Sequence, residues 1–326
     1  MRMTISRVAA GAVATLALAT TALPATSATF GRSFPSAASL AGAPVETARH
    51  YRFHTVDDSA DPTFNQLLGI NNSYQIAGYY GSGATGHPNV GYVASKPYHQ
   101  MNFKVENYPG AVQTQQIGIN SMGDTAGFYV DASGNNIGFV RWQGMYMAYS
   151  NPKSNGTFNQ LLGINDNGIA AGFYTDAKGL NHGYLVNQAT NKYEDVAPML
   201  SNVTAAGINN TGEVTGFYTA SSGTVTGFLI SGRKLYSISY PGAISTTPFG
   251  INNVGTVVGA YTDKAGASHG FVLFSPVKHP HFEKIDEPMG VGTTVVNGIN
   301  DFGDLVGFYT DMNGNVNGFV ADTAKR

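Results

Sequence analysis

Cysteine is absent from all 326 residues, so no disulfide can staple the fold. Charge is scarce too: Asp, Glu, Lys and Arg make up 12% of the chain, about half of the ~25% usual in soluble domains. The 18 Lys and Arg are scattered and the net charge is −2. Without a basic stripe, nucleic-acid binding is not expected. Beyond the N-terminus no apolar run approaches the ~20 residues needed to cross a bilayer, so no membrane span is expected. There is no H-E-x-x-H and no EF-hand loop, and the expectation is no metal and no cofactor.

Glycine is abundant instead, at 41 residues, nearly double the ordinary ~7%. With 18 Tyr and 18 Phe the chain is not disordered, since disorder goes with few aromatics and high net charge. Glycine, aromatics and little charge together read as tightly turned β-structure. Residues 1–28 carry Arg2 and Arg7, the apolar run VAAGAVATLALATTAL and then PATSA, the pattern of a secretory signal cleaved after Ala28. The expected organisation is signal peptide 1–28, linker 29–50, repeat domain 51–322 and tail 323–326, in a secreted monomer.

Self-similarity carries the fold assignment. TFNQLLGIN occurs verbatim at residues 63–71 and 157–165, and G-I-N recurs at Gly69, Gly118, Gly163, Gly207, Gly250 and Gly298. After each G-I-N, the later repeats have an Asn-x-x-Gly turn, then a strand such as VGFYTD, a second turn ending in Gly, then a strand such as NGFV. A further run such as KLYSIS or HFEKID supplies a fourth strand. Four short strands per repeat of about 46 residues is the propeller-blade pattern. The expected fold is therefore all-β, a six-bladed β-propeller of four-stranded antiparallel blades. The T-x-x-x-G-I-N segment is expected innermost. Residues 51–57 then form an orphan outer strand, and the last repeat lacks one, so the N-terminal strand should close the ring.

The repeat resembles the extracellular HAF repeat, named for a His-Ala-Phe tripeptide, over residues 51–322. Here the tripeptide stands as His182-Gly183-Tyr184 and His269-Gly270-Phe271, while Val90, Ile137, Thr226 and Asn317 take the His place elsewhere. Gly replaces Ala throughout. The resemblance implies the fold and export, and carries no catalytic residues over.

Several constellations invite a functional reading. Gly266-Ala267-Ser268-His269-Gly270 matches a G-x-S-x-G nucleophile elbow, but both glycines are repeat positions. His279 with His281, and His50 with His54, lack the company of a zinc site and read as linker histidines. Asp131, Asp176, Asp263 and Asp311 recur at one turn, where an Asp side chain bonds the backbone two residues on. Tyr80, Tyr129, Tyr174, Tyr218, Tyr261 and Tyr309 recur at one strand position, either to stack on sugars or to pack between blades. Gln66, Gln115 and Gln160 are read as amides at the mouth of the inner strands, where no carboxylate stands. His87 lies in the loop of residues 81–89, the least repeat-like segment. The expected function is a binding module for an extracellular glycan or protein, using these tyrosines, glutamines and His87. The rival is a secreted carbohydrate-active enzyme, a lyase rather than a hydrolase because the paired carboxylates of glycoside hydrolysis are missing from the inner strands. Tyr309, Tyr261, His269 and His87 would be its first suspects, with Lys264, Arg141 or Lys178 as the cation.

Overall fold

The computed structural model describes residues 38–39, 42–46 and 51–323. The expected signal sequence and His50 lie outside them. Three short strands come first: β1 (Ala38–Ser39), β2 (Val45–Glu46) and β3 (Tyr51–Thr55). Blade one is β4 (Asn65–Ile70), β5 (Gln75–Tyr80), β6 (Val90–Ser95) and β7 (Phe103–Val105), and blade two is β8 (Gln113–Ile119), β9 (Thr125–Val130), β10 (Asn136–Trp142) and β11 (Met145–Tyr149). Blade three is β12 (Asn159–Ile164), β13 (Ile169–Thr175), β14 (Asn181–Asn187) and β15 (Lys192–Asp195). Blade four is β16 (Thr204–Ile208), β17 (Val214–Thr219), β18 (Val225–Ser231) and β19 (Lys234–Ile238). Blade five is β20 (Ser245–Ile251), β21 (Val257–Thr262), β22 (Ser268–Phe274) and β23 (His281–Ile285). Blade six is β24 (Thr294–Ile299), β25 (Leu305–Thr310), β26 (Val316–Thr323) and, from the other end of the chain, β3.

The fold is a six-bladed β-propeller with the G-I-N strand innermost, and β3 closes it antiparallel to β26 through Phe319↔Thr55 to Thr323↔Tyr51. Val56 N–H extends the ladder to Gly318 O at 2.9 Å. The antiparallel order defines two faces. One carries the links between blades and the turns joining second to third strands, here the link face. The other carries the turns after G-I-N.

Glycine sets how closely blades approach. The glycine of the His-Ala-Phe position, on every third strand, meets the first strand of the next blade. An added Cβ would lie 2.7 Å from Leu67 Cγ at Gly318, 2.6 Å from Val296 Cγ2 at Gly270 and 2.7 Å from Val203 Cγ1 at Gly183. Nearer the axis, a Cβ on Gly69 would sit 2.6 Å from Ile117 O of the neighbouring blade. Every first strand slips register just before this glycine, between Leu67 and Gly69 in blade one and likewise in the other five. The extra residue of this bulge is Leu68, Ile117, Leu162, Ala206, Phe249 or Asn297, and these six line a narrow axial channel.

The Asn of G-I-N does two things at once. In Asn209, Oδ1 accepts from the backbone of Thr211 and Glu213, forming the expected turn, while Nδ2 donates to Asn252 O of the next blade at 3.1 Å. Asn71, Asn120, Asn165 and Asn252 donate to the next blade in the same way. A second ring runs alongside: the backbone N–H of Ser121, Asp166, Asn210, Asn253 and Asp301 each donates to the side chain one blade on. The face opposite the links is thus laced by two series of hydrogen bonds, each spanning five of the six blade interfaces.

Part of the stretch read as a linker is structured. β1 pairs in parallel with the outer strand β19 of blade four, and β2 with β23 of blade five. Ala43 between them is buried with Ile238, Tyr240, Phe271 and Phe282. The N-terminal segment therefore visits the rims of blades four, five and six in turn.

Candidate functional site

In a blade, side chains of a strand face the two neighbouring blades and only the backbone edge of the first strand faces the axis. This corrects the placement expected for the glutamines. Gln66, Gln115 and Gln160 are buried between blades, not displayed at a mouth. Gln66 Oε1 accepts from Tyr79 Oη at 2.7 Å, and Gln115 and Gln160 donate to Asn89 Oδ1 and Asn136 Oδ1.

The tyrosine row divides. Tyr174, Tyr261 and Tyr309 are 3%, 7% and 2% exposed, so they pack between blades and offer no ring face to a ligand. Tyr309 shares a 2.9 Å hydrogen bond with Thr55 Oγ1 of the closing strand. Tyr80, Tyr129 and Tyr218 are half-buried. Tyr129 lies flat on Tyr108, centroids 3.8 Å apart and planes within 5°. Burial first, and the neighbouring Tyr108 phenol second, push Tyr129 up to about 12, so it stays a neutral hydrogen-bond donor.

Tyr108 opens the turn Tyr108-Pro109-Gly110-Ala111 in the link leading into blade two, and Tyr240-Pro241-Gly242-Ala243 repeats it before blade five. There Tyr240 stacks on Tyr261 at 3.6 Å, but both rings are buried. In blade two both rings of the stack are only half-buried. Tyr108 was not among the residues expected from sequence, though the repeated Tyr-Pro-Gly-Ala turn marked it. The irregular loop 81–89 of blade one abuts this platform, because Asn89 N–H donates to Gln113 Oε1 at 3.2 Å and Gln115 reaches Asn89. His87 in that loop is exposed, and its Nδ1 meets Asp61 Oδ2 at 3.2 Å. Thr63 and His87 hydrogen bonds outweigh burial and hold the Asp61 carboxyl below its usual range.

The other constellations are occupied. Asp131, Asp176, Asp263 and Asp311 each accept turn N–H groups through Oδ1, as a turn reading requires. Oδ2 of Asp176 and of Asp263 meets His182 and His269, so the histidine of the tripeptide position caps the turn carboxylate. His269 Nδ1 also meets Asp286 at 2.8 Å, and Asp286 pairs with Lys284. Ser268 begins β22 straight after a turn, so the G-x-S-x-G stretch runs turn-to-strand and forms no nucleophile elbow. His281 stacks on Phe274, and His54 lies 3.7 Å from Asp322. Arg141 meets the buried Glu106 at 3.1 Å, with Lys104 on its other oxygen.

No family model and no curated protein matches the chain. Among solved structures it is similar to the gluconolactonase XC5397 from Xanthomonas campestris, at 12% identity over 90% of this chain and 99% of that one, TM-score 0.51. It is also similar to AofleA from Arthrobotrys oligospora, at 9% identity over 89% and 96%, TM-score 0.51. The Hadza microbial sialidase Hz136 matches at 10% identity over 83% and 68%, TM-score 0.53. At such identities the likeness shows the β-propeller fold alone. Among the described residues no helix is long and apolar enough to cross a membrane.

Proposed function

We propose that this is an exported propeller of HAF-type repeats that binds an extracellular glycan or protein, glycan first, on the link face at the junction of blades one and two. The observation that carries this reading is the half-buried Tyr108–Tyr129 stack beside the irregular, exposed His87 loop. Flat aromatic faces suit the apolar faces of sugar rings, and neutral phenols and amides suit their hydroxyls. Asn107 and Gln113 tie blade one to this junction, their side-chain oxygens accepting from Gly91 and Asn89 N–H. The rival enzymatic reading loses its best groups: Tyr261 and Tyr309 are buried, and both ring nitrogens of His269 already meet carboxylates.

The test is retention of purified protein on a panel of immobilised polysaccharides, alongside Tyr129→Ala and His87→Ala. Retention that both substitutions weaken supports the site. Release of unsaturated or reducing ends would transfer the weight to an enzyme, and retention unchanged in both variants would remove the site from this junction.

A further inference from the structure

The rims of the blades behave as strand-accepting edges, and the chain itself shows what they accept. β19 and β23, the outer strands of blades four and five, each take a short parallel strand, Ala38–Ser39 and Val45–Glu46. In blade five the contact is a backbone hydrogen bond from Phe282 N–H to Pro44 O at 2.8 Å. The accepted segment is short and extended, and consists of small or apolar residues with one carboxylate.

β11 of blade two has the same edge with nothing described upon it. Register fixes the equivalence. Ile285 pairs with Gly270 in blade five and Tyr149 with Gly138 in blade two, so Tyr146 stands where Phe282 stands and Ala148 where Lys284 stands. The hairpin chemistry agrees. Gln143 and Gly144 form a two-residue turn with φ of 50° and 84°, which makes Trp142 and Met145 a hydrogen-bonded pair. Alternation then points the N–H and C=O of Tyr146 and Ala148 away from the sheet.

Sequence separates β11 from the other rims on which no described strand pairs. Edge strands in soluble proteins are normally blunted by charge or kept very short. β15 reads Lys-Tyr-Glu-Asp, β3 carries Arg52 and His54, and β7 is three residues with a central Lys104. β11 reads Met-Tyr-Met-Ala-Tyr, with Met145 and Ala148 exposed and no charge. We infer that the outer edge of β11 is a docking site for an extended peptide of small and apolar residues from a partner protein, added as a parallel strand. It lies on the rim of the same blade, where the Tyr146 ring meets Tyr108 edge-on at 5.5 Å, but it rests on the outward backbone groups of β11 and not on the glycan reading.

A synthetic peptide with the sequence of residues 36–46 serves as the probe, read by amide hydrogen exchange on the purified full chain. The expected result is new protection at Tyr146 and Ala148. Ala148→Pro removes an outward N–H while leaving the β10 ladder intact, and should weaken peptide binding about fivefold, the loss of one backbone hydrogen bond. A peptide methylated on alternate backbone nitrogens should not bind. Protection appearing only at β19 and β23 would mean that the peptide merely displaces the chain's own strap, and would overturn the proposal. Equal affinity in Ala148→Pro would do the same, as would concentration-dependent self-association through this rim in place of peptide binding.

Discussion

Asn209 of blade four spans to Asn252 of blade five: its Nδ2 donates to the Asn252 carbonyl at 3.1 Å while its Oδ1 holds the turn of its own blade. The amide is needed in both halves. An aspartate in its place keeps the acceptor and loses the donor.

Asn209→Asp is therefore expected to lower stability by about 1–3 kcal/mol, the cost of an unsatisfied buried carbonyl plus a buried charge. The difference should appear in the denaturant midpoint with the slope unchanged. A midpoint equal to wild type would mean that the inter-blade bond contributes nothing.

The second ring of hydrogen bonds, from the residue after the G-I-N asparagine, has five bonds for six blades. Asn72 N–H of blade one faces Ser121, where the other five interfaces present Asn or Asp acceptors. Ser121→Asn should complete the circle and raise stability by about 0.5–1.5 kcal/mol. Calorimetry showing no gain would indicate that the serine site is closed by other means.

Gly318→Ala tests the closure. The new methyl would lie 2.7 Å from both Leu67 Cγ and Val56 O, and the latter is backbone of the closing segment that cannot swing aside. A loss of about 1–3 kcal/mol is expected. Gly42→Ala, with nothing within 4 Å of the added methyl, is the matched control and should be neutral.

Stability should peak on the acid side of neutrality. Burial, with Asp311 nearby, raises the Asp57 carboxyl to about 6 despite the hydrogen bond from Gly318, and burial also raises Glu287. A carboxyl whose native pKa is raised stabilises the fold below its unfolded value near 3.9, and that contribution is lost as pH climbs through about 6. Asp166, Asp301 and Asp311 are shifted down and act oppositely, losing their contribution only as pH falls below the ordinary carboxylate range. The melting temperature should therefore rise on going from pH 7 to pH 5. Asp57→Asn should flatten this rise, and an unaltered slope would contradict the assignment.

The architecture was legible in sequence because it is repeated. G-I-N, two Asn/Asp-to-Gly turns and a short fourth strand repeat closely enough to count blades, order strands and place residues 51–57 on the last one. What escaped notice has local explanations that hide tertiary ones. An Asn before a turn is fully accounted for by the turn, so nothing in Asn209 announces its second bond. Gln66 and Gln160 precede the axial glycine on the innermost strand, and that position alone reads as display at a mouth. The radial setting of the sheet turns them into the blade interface instead. Ala38–Ser39 and Val45–Glu46 belong to no repeat, and two-residue strands of small side chains leave no pattern. Tyr129 and Tyr261 look identical in the repeat, and only the packing around them leaves one open and buries the other.

The bond from Gly318 N–H to Asp57 joins residues 261 positions apart, and with it the first long strand of the chain is paired with the last. A chain emerging N-terminus first must hold β3 without its partner until the sixth repeat has appeared. Blades one to five can form from neighbours close in sequence, but the circle cannot. Ring completion is thus tied to the arrival of the final thirty or so residues, and slow closure is the consequence of so distant a pairing. A chain stopped short by β26 alone would leave β3 without a partner and the outer side of β25 bare.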